Sequence, residues 1–439
     1  MTPLLTALLL FALMLALMAV RVPIAAAMFV AGLAGYLAQA GWLPLVSHLK
    51  TYAHARFSSY DLSVIPLFLL MGQFATQGGL SRALFRFAAA LLGRFRGGLA
   101  MASVMACAAF GSVCGSSIAT AATIGSVALP EMKRHGYSGR LATATVAAGG
   151  TLGILIPPSV ILVVYAILAE QNIAKLFAAA LVPGLIAMAG YLLAIAIYVR
   201  LVPGHAPEHD EVSRAQLRES AMGVLPIVAI FLIVFGGIYG GVFTPTEGAA
   251  VGAAATFVTA LARREMSWEK FRMSLHATAE ASAMIFMIFL GADLLNSALA
   301  LTQAPNQLAQ AVGSLGWPPL AVIAAILLFY VVLGCVMDEL SMILLTIPIF
   351  FPLVASLDLG LRPDEQAIWF GILVLMVVEI GLIAPPVGLN VYVVNGIDRE
   401  TPIGESYRGV LPFLLSDVLR TALLLFAPVL SLHLVRLMN

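Results

Sequence analysis

Charge is scarce in this chain. Only 10% of its 439 residues are Asp, Glu, Lys or Arg, while 61% are hydrophobic and the mean hydropathy is +1.01. Soluble domains carry about 25% charged residues, so a water-soluble globule is excluded. The three cysteines, Cys107, Cys114 and Cys335, lie in apolar or turn sequence and form neither a disulfide framework nor a zinc pattern. The net charge of +1, with no basic tract, leaves nucleic acid without an electrostatic footprint. A Walker A motif, a G-x-S-x-G elbow and an H-E-x-x-H pair are all missing, so direct ATP use, hydrolase chemistry and zinc proteolysis lack their residues. No activated nucleophile and base stand at matched depth for intramembrane proteolysis, and the chain is not read as an enzyme. No basic segment precedes the first apolar run, Leu4 to Val20, which reads as a retained helix and not a cleaved signal. The methionines do not cluster and read as core or lipid-facing filler.

What is present is a series of apolar runs of about 20 residues, the length of a membrane-spanning helix, which makes the chain a polytopic all-α membrane protein. Candidate spans cover 3–20, 24–42, 62–79, 139–170, 176–199, 221–241, 245–262, 274–300, 366–395 and 410–437. Two further apolar stretches are interrupted. Gly97 to Pro130 is broken by Gly111-Ser112-Val113-Cys114-Gly115-Ser116-Ser117, and Pro318 to Leu357 by Gly334-Cys335-Val336-Met337-Asp338-Glu339. Lys and Arg mark cytoplasmic loops. Arg21, Arg82 to Arg96, Lys133 to Arg140, Arg200 to Arg218 and Arg263 to Arg272 all fall on one side if the N-terminus is outside. The first broken stretch therefore has both ends in the cytoplasm, yet it is too short for two spans of about 20 residues and a turn. It reads as a re-entrant hairpin, a geometry tolerated only where protein or a watery cavity covers the tip. The second reads as its mirror image, entering from outside.

Each half then contains three spans, an amphipathic connector (Ser81–Arg96, Thr302–Trp317), a hairpin, a broken span and a final span. Five crossings per half is odd, so residues 1–219 and 220–439 read as an inverted-topology repeat, with both chain termini periplasmic. Val22-Pro23-Ile24-Ala25-Ala26 against Thr244-Pro245-Thr246-Glu247-Gly248-Ala249-Ala250 is a weak echo of it. The loop His205–Ser220 is the seam, and Ser47–Tyr60 reads as an extra amphipathic helix along the outer interface. Discontinuous segments at corresponding places in two halves point to a transporter's binding site.

The first tip offers Ser112, Ser116, Ser117, Thr120 and Thr123 among small residues. Freed carbonyls and hydroxyls suit a small cation and helix N-termini suit anions, although Gly111-x-x-x-Gly115 also fits close helix packing. Ala148 to Ser159 and Glu379 to Asn390 each combine glycines with a Pro-Pro pair and will not sustain a helix. Ser159 and Asn390 are the polar side chains best placed after these breaks. Ionisable residues deep in apolar sequence are functional candidates: Asp338 and Glu339 in the second tip, Glu379 at the second break, and Asp293 beside Asn296. Asp338 leads, because its own hairpin holds no basic partner. Glu247 reads as a helix cap, His135 as interfacial, and His205 and His209 as parts of a solvated loop.

These residues carry a resemblance. Gly115-Ser116-Ser117-Ile118-Ala119-Thr120, Gly149 to Ser159, Gly237 to Ala249 and Pro385-Pro386-Val387-Gly388-Leu389-Asn390 resemble the large membrane subunit of tripartite ATP-independent periplasmic (TRAP) transporters. The likeness covers essentially the whole chain. It departs at Ala384, where Thr is common, which removes one hydroxyl near the second break. It implies an elevator-type fold of the ion-transporter superfamily and Na⁺-coupled import of an organic acid anion such as a C4-dicarboxylate or a sialic acid. It also implies the bacterial inner membrane, a separate small four-helix membrane subunit and a soluble periplasmic substrate-binding protein, with no organic cofactor. By family likeness one Na⁺ maps to Ser116, Ser117, Gly150, Gly153 and Pro157, and a second to Gly334, Met337, Asp338, Gly381 and Pro385. The substrate maps to Ser116, Thr120, Ser159, Asp338 and Asn390. A standalone H⁺- or Na⁺-coupled carrier, a channel and a flux-free sensory subunit are the rival readings.

Overall fold

The computed structural model describes residues 3–207, 214–314, 316–335 and 337–438, and every regular element among them is helical. In chain order the first half comprises α1 (Pro3–Ala19), α2 (Ile24–Ala40), α3 (Trp42–Phe57), a 3-10 turn at Tyr60–Ser63, α4 (Val64–Gln77), α5 (Leu80–Leu92), α6 (Gly98–Cys114), α7 (Ser117–Arg134), α8 (Gly139–Leu155), α9 (Val160–Leu168) and α10 (Ile173–Leu201). The second half comprises α11 (Arg214–Tyr239), α12 (Pro245–Ala262), α13 (Trp268–Thr302), α14 (Ala304–Ser314), α15 (Pro319–Gly334), α16 (Glu339–Ala355), α17 (Pro363–Ile383), α18 (Leu389–Ile397), α19 (Ile403–Phe426) and α20 (Val429–Leu437). Only α10, α11, α13, α17 and α19 are long and apolar enough to cross a bilayer unaided among the described residues. The others are short or paired across breaks. The chain bends by 66° between α4 and α5 and by 43° between α8 and α9, at Gly78-Gly79 and Pro157-Pro158, where glycine and proline end a helix.

The halves repeat one another in order: span, span, span, connector (α5, α14), hairpin (α6–α7, α15–α16), broken span (α8–α9, α17–α18) and closing span (α10, α19). Packing follows the same exchange. α2 lies along α13 as α12 lies along α4, α7 packs on α18 as α16 packs on α9, and α8 meets α19 as α17 meets α10. The α2–α13 seam is a backbone contact. A Cβ at Gly32 would fall 2.5 Å from Leu295 N, and one at Gly291 2.5 Å from Ala25 O. Small residues of this kind let membrane helices touch. Glu247 and Thr244 form a capping box at the start of α12, so Glu247 is a cap.

Several sequence expectations change. The final span is not one helix over 410–437: α19 begins at Ile403 and stops at Phe426, and α20 follows Pro428. Proline has no N–H and disfavours helix in the residue before it, which ends α19 there. The amphipathic stretch is α3, and its Arg56 forms a two-pronged ion pair of 2.7 and 2.8 Å with Asp293 on α13. Asp293 is thereby held as the anchor of α3. His205 is not simply solvated. Its Nδ1 lies 2.5 Å from the Ser138 hydroxyl at the start of α8. His209 and part of the expected seam, and Val336 of the second tip, lie outside the described residues.

Candidate functional site

Both hairpin tips lean on the broken spans through glycine. At the first tip Gly115 has a φ of +68°, which favours glycine. Its carbonyl accepts from Val160 N at 3.4 Å, docking the tip on the first break. Beneath it, a Cβ on Gly111 would lie 2.5 Å from Gly153 Cα, and one on Gly153 would lie 2.6 Å from Thr120 Oγ1 and 2.7 Å from Ser116 O. A Cβ on Gly150 would strike the Ala121 side chain at 2.5 Å. At the second tip a Cβ on Gly381 would fall 2.5 Å from the Gly334 carbonyl carbon. Counted back from each Pro-Pro pair, Gly153 and Gly381 hold the same position. Ser116, Gly150 and Gly153 are therefore brought together on one side, and Gly334 and Gly381 on the other. Pro157 and Pro385 lie in the bends that follow, where both Pro-Pro bonds are cis. Met337 is buried at the second tip, its N–H donating to Leu333 O at 2.9 Å.

The polar side chains at these turns are mostly employed as helix caps. Ser116 accepts from Ala119 N at 3.4 Å, Ser159 from Leu162 N at 3.3 Å and Asp338 from Ser341 N at 3.0 Å. Such caps satisfy donors that a helix start leaves orphaned. Asn390 is buried in α18 and donates to Ala147 O of α8 at 3.2 Å. Thr120 is buried with its hydroxyl against the Gly153 backbone.

The tips meet one residue further on. Ser117, first in α7, donates its hydroxyl to Glu339 Oε1, first in α16, at 2.9 Å. Both are buried, Glu339 at 6% exposure, and Glu339 Oε2 has no hydrogen-bond partner among the described residues. Sequence reasoning weights Asp338, yet the helix begins so that Asp338 faces back as the cap and its neighbour turns inward.

A second polar cluster lies behind the breaks. Arg420 of α19 pairs with Glu379 of α17 and lies 3.1 Å from Asp417. Its guanidinium stands over the Tyr191 ring of α10 at 5.2 Å. Tyr191 OH donates to Asp417 Oδ2 at 3.0 Å and lies 3.2 Å from Thr151 Oγ1 of α8. Each member is buried. Counted from the Pro-Pro pairs, Thr151 and Glu379 are again equivalent. Arg420 and Asp417 were not singled out from the sequence, although two ionisable residues three apart in an apolar run were the signal for it.

A cleft of about 1020 Å³ opens between connector α5 and hairpin helix α7, lined by Arg82, Arg86, Ser126, Arg134 and Arg263. The space between α4, α5 and α7, lined by Thr76, Ser81 and Thr123, is about 390 Å³, and the corresponding space between α13, α14 and α16, lined by Asn296, Asn306 and Ile349, is about 250 Å³. Both the cleft and the larger member of this pair lie beside α5 and α7.

Comparison with known proteins agrees with this geometry. Residues 11–430 match the family model for the DctM component of the tripartite ATP-independent periplasmic transporter. The chain is 38% identical over 376 residues to a C4-dicarboxylate TRAP transporter large permease protein of Pseudomonas aeruginosa, covering 85% of this chain and 86% of that one. It is 33% identical over 396 residues to an isethionate TRAP transporter permease protein of Oleidesulfovibrio alaskensis, covering 90% of this chain and 61% of that longer one. The crystal structure of the Alcanivorax borkumensis YdaH transporter superposes with a TM-score of 0.59 at 14% identity, covering 88% of this chain and 89% of that one. The fold class and the resemblance thus agree: a multi-pass helical membrane transporter, not an enzyme. The chain belongs to the DctM family, the large permease component of TRAP transporters.

Proposed function

We propose that this permease imports an organic acid anion driven by the Na⁺ gradient, receiving it from a periplasmic binding protein and working with a separate small membrane subunit. The observation that carries the reading is the meeting of the two hairpin tips, each backed by a glycine contact to its own broken span. Ser116, Ser117, Gly150, Gly153 and Pro157 would hold one Na⁺, and Gly334, Met337, Asp338, Gly381 and Pro385 a second, largely through backbone carbonyls freed by the breaks. Substrate would lie between the tips, near Ser116, Thr120, Ser159, Asp338 and Asn390. The names of the relatives favour a C4-dicarboxylate. The halves 1–219 and 220–439 act as inverted repeats. The hairpins and broken spans slide as an elevator against a scaffold that includes α2, α4, α12 and α13, with α5 and α14 as arms.

Uptake of labelled succinate into proteoliposomes holding the full complex tests this. An inward Na⁺ gradient should drive accumulation that stops when Na⁺ is replaced by K⁺ or the binding protein is omitted. Accumulation indifferent to Na⁺ would remove the coupling claim.

A further inference from the structure

The tips carry a carboxyl group of their own. α7 and α16 begin at Ser117 and Glu339, and these two first residues are hydrogen-bonded to each other, so the two N-termini converge on the Glu339 carboxylate. A helix N-terminus presents unpaired N–H groups and a positive dipole end, which together favour a negative group. The caps from Ser116 and Asp338 occupy Ala119 N and Ser341 N. The remaining carboxylate oxygen, Oε2, is buried with no partner among the described residues, and so is the hydroxyl of Ser341, two residues on. Leaving a buried carboxylate oxygen unpaired is costly, so this arrangement calls for a function beyond packing.

We infer that Glu339 is a tethered carboxylate that fills the anion position between the tips while no substrate is bound, and that the carboxylate of an incoming organic acid takes its place. This rests on the reading of the tips as the substrate site. It makes Glu339 a positioning residue. It holds the empty tips together, through Ser117 and the facing helix starts, and yields them to a ligand of the same chemistry. A substrate without an acid group has nothing to exchange for it, so the residue also selects for acids.

The chain supplies its own reporters. Cys114 ends α6 at the first tip and is buried against the α4 backbone at Gly72. Cys107 is buried deeper in α6 against Gly149. N-ethylmaleimide labelling of the full-length chain in nanodiscs, resolved by cysteine and without substrate, reads tip opening at Cys114 and global unfolding at Cys107. Glu339→Ala should raise Cys114 labelling about tenfold, as expected for losing a hydrogen bond to a charged group, with Cys107 still silent. Ser117→Ala should raise it by a smaller factor. Acetate at about 50 mM should slow labelling of Glu339→Ala back toward the wild-type rate by mass action and leave the wild type unchanged. Cys114 labelling within twofold of wild type, or an acceleration that acetate does not reverse, overturns the inference. If Glu339→Ala exposes Cys107, Ser117→Ala decides by its own Cys114 rate. Failure of the functional reading registers separately, as absence of Na⁺-driven succinate uptake.

Discussion

Arg420 shows what a single residue holds in place. It is the lone cation among Glu379, Asp417 and Tyr191, all buried where α8, α10, α17 and α19 converge behind the breaks. Removing one partner of a buried charge pair costs about 3–5 kcal/mol, whereas replacing the whole set with neutral groups is often tolerated. Arg420→Met is therefore expected to lower thermal stability by about 3–5 kcal/mol. Adding Glu379→Gln and Asp417→Asn to it should recover most of the loss, as read by unfolding of the detergent-solubilised protein. The sequence located these acids only in part. Glu379 stood out beside a Gly-Pro break, but its partner comes from a helix 41 residues away, and one-dimensional reading has no distance to work with. At the second tip the difficulty was finer. Asp338 and Glu339 are adjacent acids, and only the helix start decides which one caps and which one turns inward.

Between elements, the base of the first hairpin is tied to the end of the second broken span. Lys133 of α7 pairs with Asp398 at the end of α18, and with Glu400 at 2.8 Å. Burial alone would raise the Asp398 carboxyl, but hydrogen bonds from Lys133 and Thr401 outweigh it and hold the group below its ordinary value. A depressed carboxylate contributes stability that is complete above the unfolded-state value of about 3.9 and is lost as pH falls through the lower folded value. Asp398→Asn should thus lower the melting temperature, by about 1.5–3 kcal/mol of stability, at neutral pH. Its deficit against the wild type should shrink only as pH drops below the usual aspartate range; a deficit unchanged there would show that packing and not charge carries the tie. Elements of this kind were legible where local chemistry punctuates them. Gly-rich and Pro-Pro runs marked both breaks, and basic flanks with a short length marked the first hairpin. The end of α19 was misread because the apolar pattern runs on through Pro428, although that proline was itself the stop signal.

At the scale of the whole molecule, exchange of the halves preserves the order of elements and much of their packing, but the clefts differ. About 390 Å³ lies open between α4, α5 and α7, against about 250 Å³ between α13, α14 and α16, and a further cleft of about 1020 Å³ adjoins the first. The openings beside α5 and α7 thus exceed the one beside α14 and α16. A cysteine at Ser126, lining the large cleft, should react with a membrane-impermeant maleimide several-fold faster than one at Ile349, lining the small one, when both faces are accessible in nanodiscs. Equal rates would contradict the asymmetry. The repeat itself was legible from crossing parity and charge, since both follow from the bilayer. The unequal openings were not, because packing between helices distant in sequence sets them.

The bond between Ser117 and Glu339 has a further consequence. Both are the first residue of the second arm of their hairpin, so the contact joins two copies of one position. Two identical halves would set like against like there: a pair of glutamates would repel, and a pair of serines would carry no charge. Unlike residues turn a meeting of equals into a donor and an acceptor, so this is one place where the repeats work only because they differ. Exchanging the two side chains should consequently be gentler than changing either one alone.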